Sequence, residues 1–271
     1  TNFEISSDNS TFSNSLTLTP SSGTVNSTTI YARLKSGLSN NDYSGNITAS
    51  SGGASNQTIA LSGTVYYNNL YVDDSGSNSN NGLTAESPFA TVAYAISQVS
   101  TYDSNSLGLT INVGAGTYTE HSINVNQSNV TIKGAGSSST IFDANTSDQF
   151  LAITASDVTI EGMKIKDYVS DNNSSNNAYA GAAIRVGAVE GTQSINTNMS
   201  GIILRDIYFK DNITSSKGGD GGAVHINDNS ATTTVTISGC IFDGNQTTST
   251  SEWPHGGAFT MNSGNVVTIE N

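Results

Sequence analysis

Basic side chains are scarce in this chain: nine Lys+Arg stand against 22 Asp+Glu, a formal charge of −13 at pH 7. A surface so acidic repels phosphate backbones and anionic lipid headgroups, which argues against nucleic acid or a membrane surface as partner and suits cation-rich, extracellular surroundings. A single cysteine, Cys240, leaves no disulfide framework. No apolar run approaches the ~20 residues of a membrane span, so insertion is not expected. Charged residues are only 11% of the 271, too few for a helical bundle or a charge-rich disordered segment. With 27 glycines and much Ser, Thr and Asn, the composition is that of an all-β chain with many turns.

The apolar residues that remain are arranged as a repeat. Ile202–Asn212 (IILRDIYFKDN) leads through a polar loop to Gly221-Gly222-Ala223-Val224-His225-Ile226. Val235–Asn245 (VTISGCIFDGN) then leads to Gly256-Gly257-Ala258-Phe259-Thr260-Met261, the second copy starting 33 residues after the first. The opening phrase also occurs at Val130, Val158 and Val267. Alternation with a period of two over about five residues makes a strand with one buried face, and a unit this short must stack on copies of itself to bury it. The expected object is a parallel β-solenoid. Val130, Val158, Ile202, Val235 and Val267 form one inward column, and Ile132, Ile160, Leu204, Ile237 and Ile269 the next. Met163, Ile207 and Cys240 follow, then Ile165, Phe209 and Phe242. Cys240 is thereby a small core residue rather than a reactive thiol. Because Thr1 falls in mid-phrase and the chain stops on a repeat's opening strand, a piece of a longer protein is expected.

Residues 1–66 carry five short strand signals: Phe3–Ile5, Leu16–Leu18, Ile30–Leu34, Tyr43–Thr48 and Thr58–Val65. The phrases Asn2–Ser6, Ser15–Pro20, Tyr31–Leu38 and Tyr43–Ile47 together resemble the immunoglobulin-like spacer domains of very large surface proteins of Bacteroidota. The resemblance implies a partial β-sandwich, lacking its first strands, that acts as a stalk. Residues 67–271 are then the solenoid domain. At its start Ser87 stands as a helix N-cap with Pro88 at the first helical position, and Phe89, Val92, Ala93 and Ile96 follow at helical spacing. An amphipathic helix here would cap the solenoid's open end. The stretch Tyr71–Gly82 with Pro88–Thr91 resembles the opening segment of secreted right-handed parallel β-helix proteins, some of them polysaccharide lyases. In this loop Asp73 and Asp74 are candidate calcium ligands, although an Asx turn is the plainer reading.

Outward positions hold the candidate sites. Thr131, Thr159, Ile203, Thr236 and Thr268 form one exposed column, and Lys133, Glu161, Arg205, Ser238 and Glu270 a second that reads as a solvated charge ladder. Asn212 and Asn245 fall at matching bends and read as a stacked amide ladder. On another face Arg185, His225 and Thr260 stack outward, near Asp220, Glu252, Trp253 and His255. Trp253, His255, His225 and Arg185 are the candidate ligand-binding residues, Trp253 because sugar rings stack on exposed aromatic faces. The Phe-x-x-Asn and Gly-Gly-Ala pairing at Phe209 and Phe242 is similar to the repeat of the chlamydial polymorphic outer-membrane proteins, which are adhesins. Two functions follow. One is a non-enzymatic extracellular structural or adhesive module, glycan-binding, that contacts a glycan or another cell's surface and needs no cofactor. The other is a calcium-dependent polysaccharide lyase with Arg185 or Lys210 as the base.

Overall fold

The computed structural model describes residues 1–103, 105–144, 148–170, 181–189, 198–215, 220–226, 233–248, 256–262 and 264–270. The chain divides into two compact units, Thr1–Tyr67 and Asn68–Asn271.

In the first unit Phe3–Ser6 pairs antiparallel with Tyr31–Leu34, and Asn41–Ala49 pairs antiparallel with Gln57–Val65. The two ribbons meet through two apolar side chains. The Phe3 ring lies 3.2 Å from where a Cβ on Gly45 would stand, and Leu34 comes within 3.0 Å of the same point on Gly63. The glycines leave the seats that these side chains fill. The strand expected at Leu16–Leu18 does not form; Ser13 bridges Ile5 instead, and Leu18 is exposed. Among the described residues no strand lies beside that segment, so its alternation has neither a hydrogen-bonding partner nor a face to bury. Four strands in two ribbons do not establish an immunoglobulin-like topology.

The second unit is a parallel β-helix. Its largest sheet stacks Asn69–Val72, Leu109–Val113, Val130–Gly134, Val158–Glu161, Ile202–Arg205, Thr234–Ser238 and Val266–Glu270 in parallel. A second sheet runs from Gly116–Tyr118 to Ile241–Asp243 and a third from Ile123–Val125 to Phe259–Met261, five strands each. After Asn69–Val72 and Leu109–Val113, which pair within the largest sheet, successive strands enter different sheets, and each pairs with the strand one coil away. The expected columns are in register throughout: Val130 opposes Val158, Ile202 opposes Val235, Ile165 opposes Phe209 and Phe209 opposes Phe242. Burying each such Val, Leu, Ile or Phe contributes about 1.5–3 kcal/mol over leaving it in water. The inner wall of the second sheet is further filled by rings, Tyr118 on Phe142 at 5.1 Å and Phe209 on Phe242 at 4.9 Å.

Between sheets the bends are tight and left-handed. Asp157, Asp206 and Asp211 have φ between 53° and 56°, a region that Asp tolerates through its short polar side chain. One coil further on, the matching bend residue is glycine each time, and the aspartate leans into the room it leaves. Asp157, Asp206 and Asp211 bring Oδ1 within 2.2, 2.3 and 2.0 Å of where a Cβ would stand on Gly201, Gly239 and Gly244. The Asn ladder is present beside these bends. Asn245 Oδ1 accepts from Asn212 Nδ2 at 2.9 Å, Asn212 Oδ1 accepts from the Tyr168 N–H at 3.2 Å, and Asn212 Nδ2 also donates to the Ile165 carbonyl at 3.0 Å.

The helix runs Val92–Tyr102 and starts four residues later than Ser87 and Pro88 imply, with Thr91 as N-cap. The reason lies in the strand beside it. The Phe89 N–H donates to the Tyr71 carbonyl and its own carbonyl accepts from Asp73 N–H, which keeps residue 89 extended. Val92, Ala95, Ile96 and Val99 cover the first coil's core. No residue of the helix's first turn is acidic; Glu120, from the first coil, supplies the charge instead. Its Oε1 accepts from Val92 N–H at 2.7 Å and its Oε2 from Ala93 N–H at 2.8 Å, satisfying two donors a helix start leaves open. Burial pushes the Glu120 carboxyl up, while these two bonds pull it partway back. The buried Tyr168 hydroxyl donates to the Glu120 carbonyl at 2.5 Å and ties the same residue to the third coil.

Candidate functional site

Arg185, His225 and Thr260 occupy one column, as their spacing implies: Arg185 opposes His225 and His225 opposes Thr260. Their surroundings differ from the expectation. Arg185 and His225 are wholly buried, at 0% exposure each, and Asp220 at 8%. Arg185 Nη1 donates to the Val189 carbonyl at 3.2 Å, and His225 Nδ1 lies 2.8 Å from Thr260 Oγ1. The column points away from the helix axis yet is covered, so it is an internal polar seam and not an open binding face. Alternation fixes which way a side chain leaves its strand; it carries no information on whether that side chain ends up covered. Trp253 and His255 lie outside the described residues.

Lys210 is partly exposed but committed. Its Nζ sits 3.1 Å from Asp211 Oδ2 and 3.3 Å from Asp243 Oδ2, and this pairing holds the amine well above its usual value. An ammonium stabilised in that way makes a poor general base near neutral pH. Lys166 is held likewise between Asp143 and Asp167. In the loop that opens the unit, Asp73 Oδ1 accepts from the Ser75 N–H at 3.0 Å and the Ser75 hydroxyl at 2.6 Å. These bonds form an Asx turn and hold the carboxyl below its usual range. Asp74 lies against Gly116. Among the described residues no three His, Cys, Asp or Glu are grouped as a metal site would require.

The open cavities of this unit lie elsewhere, along the bend between the first and second sheets. In the second coil that bend is long, Gly134 to Ser139, whereas in the next two coils it is short. The long bend therefore overhangs its neighbours, with Gly136 N–H donating to the Gly162 carbonyl at 2.8 Å. Beneath it lies a cleft of about 660 Å³ lined by Lys133, Gly134–Ser138, Glu161, Gly162, Arg205 and Asp206. A second, of about 240 Å³, is lined by Tyr71, Val72, Asp73, Pro88, Asn112 and Val113 among others, and shares Lys133, Gly134 and Ala135 with the first. The two form one groove. In it Glu161 is nearly buried, its side chain 11% exposed, between two cations that are half exposed. Arg205 reaches Glu161 Oε2 through Nε at 3.0 Å and through Nη2, and Lys133 Nζ stands 3.6 Å from Oε1. Sequence reasoning had these residues as a solvated ladder. It found the register but missed the overhang, whose only trace is the extra length between Gly134 and Thr140.

No protein-family model matches the chain, and no characterised protein matches it in sequence. Among solved structures, a pectin methylesterase, PemA from Erwinia chrysanthemi, is similar at 13% identity with a TM-score of 0.33, over 70% of this chain and 68% of that one. So loose a likeness brings no activity with it. The fold rests on the strand register of the chain itself.

Proposed function

We propose that this chain is a non-enzymatic extracellular module, structural or adhesive in role, that engages glycans through its β-helix. The observation that carries the reading is the state of its outward charges. Lys166 and Lys210 are each locked between carboxylates of their own and adjoining coils, and Arg185 is buried. A catalytic base has to release and take up a proton near the working pH, and these cations are held in one charge state. A long, stiff stack whose side chains bond from rung to rung suits a spacer or a display surface. The chain's charge of −13 is compatible with cation-rich surroundings outside the cell. No helix among the described residues is long and apolar enough to cross a membrane.

The test is a panel of neutral and acidic polysaccharides, with and without added calcium, read both for binding and for the ultraviolet absorbance of unsaturated products. Binding without any rise in absorbance is the expected result. A sustained rise that disappears in Lys210→Ala, a change at the surface, would overturn the non-enzymatic reading in favour of a lyase.

A further inference from the structure

We infer that Gln57–Val65, the outer strand of the longer ribbon in the first unit, joins two copies of this chain edge to edge, so that the module adheres to its own kind. This contact is independent of any glycan bound by the solenoid. The strand's pairing comes first. Gln57–Val65 pairs on one side with Asn41–Ala49, residue for residue along its whole length, and among the described residues the sheet has no third strand. A two-stranded sheet is marginal in water, and three or more strands with a shared apolar face are needed for independent stability. The other side of Gln57–Val65 presents a row of N–H and C=O groups with no strand to receive them. Proteins ordinarily blunt such an edge with a lysine or other charge, a proline, a bulge or a short length. Gln57–Val65 (QTIALSGTV) has none of these: it is uncharged, free of proline, paired without a bulge and nine residues long.

Pattern and charge then select a second copy as the occupant. Alternation places Ile59, Leu61, Gly63 and Val65 on the face where Leu34 covers Gly63, and Ile59, toward the far end of that face, is 64% exposed. Turned about a two-fold axis through Leu61, the strand meets itself antiparallel. Leu61 then stands opposite Leu61, Ile59 opposite Gly63, Ala60 opposite Ser62 and Thr58 opposite Thr64. Each Ile59 reaches the bare backbone of Gly63 beside the other copy's Leu34, so apolar side chains meet on one face while Thr58 meets Thr64 on the other. The remaining edges match themselves less well. Asn41–Ala49 has Gly45 at its centre and carries Asp42, and Tyr31–Leu34 is four residues long and carries Arg33. Charge permits the approach, because residues 1–67 hold Glu4, Asp8 and Asp42 against Arg33 and Lys35, a net −1 of the chain's −13. Repulsion between copies therefore comes from the second unit, and salt screens it.

The experiment is sedimentation of the full chain over a range of concentrations, at low and high salt. A reversible monomer–dimer equilibrium is expected, shifted toward dimer by salt. Ala60 and Ser62 are exposed and alternate away from Leu34, so replacing both leaves the packing within the unit alone. The double variant Ala60→Lys, Ser62→Lys sets lysines of one copy opposite lysines of the other and should weaken the dimer by about tenfold or more. Ala60→Glu, Ser62→Glu should do the same, and an equimolar mixture of the two variants should recover dimers. Recovery on mixing shows that both variants fold and that position 60 faces position 62 across the contact. Hydrogen exchange should slow at Gln57–Val65 on dimerisation and stay unchanged at Val266–Glu270, where Ile269 is 72% exposed. A monomer at every concentration overturns the inference. So do dimers that survive the lysine pair or that protect Val266–Glu270 instead, which places the contact on the solenoid, and a monomer whose Gln57–Val65 amides already exchange slowly, which places a cover over the edge from within the chain.

Discussion

Removing the carboxylate of Glu120 should loosen the solenoid's cap while leaving the stack beneath it in place. Glu120→Ala strips the acceptors from Val92 and Ala93, 28 and 27 residues away in sequence. Two hydrogen bonds to a charged group are worth about 1.5–3 kcal/mol each, and the start of a helix adds about 0.3–1 kcal/mol for a nearby negative charge. Against this stands the cost of desolvating the carboxylate, the largest influence on its titration, so a net loss of about 2–3 kcal/mol is expected. The loss should be local. Hydrogen-exchange mass spectrometry should show faster exchange in peptides covering Val92–Tyr102 and little change in those covering Ile202–Arg205. The pH dependence has a defined sign. Folding raises this carboxyl above its ordinary 4.5, so its contribution is most favourable on the acid side and is lost as pH rises through the raised value. Alanine does not titrate, and the wild type's lead over the variant should therefore narrow as pH increases across that window. Equal helix exchange in variant and wild type, or a lead that widens with pH, would refute the account of how the cap is held.

Three further outcomes check the stack. Phe209→Ala should cost about 3–5 kcal/mol and open the C-terminal coils, since Phe209 is fully buried on Phe242; Tyr208→Phe, which loses one exposed bond to Asp243, should cost under about 1 kcal/mol. Comparable damage in urea melts would contradict the register. Asn212→Ala leaves Tyr168 N–H and the Ile165 carbonyl without their buried partner and should lose about 2–4 kcal/mol, seen as faster exchange at Tyr168–Ser170. Cys240, whose thiol burial pushes up, should be alkylated at pH 8 far more slowly in the native protein than in urea; equal rates would place it at the surface.

The solenoid was legible because its signal is redundant. Val130, Val158, Ile202, Val235 and Val267 each sit in the same short phrase, so a register error at one coil would have shown against the others. Leu16–Leu18 had a comparable alternation but a single copy and no strand beside it, and pattern alone does not supply a partner. Arg185 and His225 stand in the expected column but are buried there, since whether an outward side chain is covered is a property of tertiary layering. The helix began at Thr91 because Phe89's backbone was already engaged by Tyr71 and Asp73, a competition that N-cap preference at Ser87 does not register. Glu120 offered no signal at all: a carboxylate that caps a helix about 28 residues away looks in sequence like any other polar residue after a turn.

The glycine that follows Asp206 one coil on constrains how such a molecule lengthens. A coil resembling Ile202–Asn212 copied onto itself would set Asp206 against a Cβ where it now meets the open backbone of Gly239, whereas at the second bend Asp211 already follows Asp167 one coil earlier, both left-handed. Duplicating two coils together preserves the order, each carboxylate again followed by a glycine. At the first bend the pair is thus the increment that keeps Asp206 facing a glycine, and recombination between homologous arrays should keep such junctions there, while the second bend already accepts two left-handed aspartates in succession.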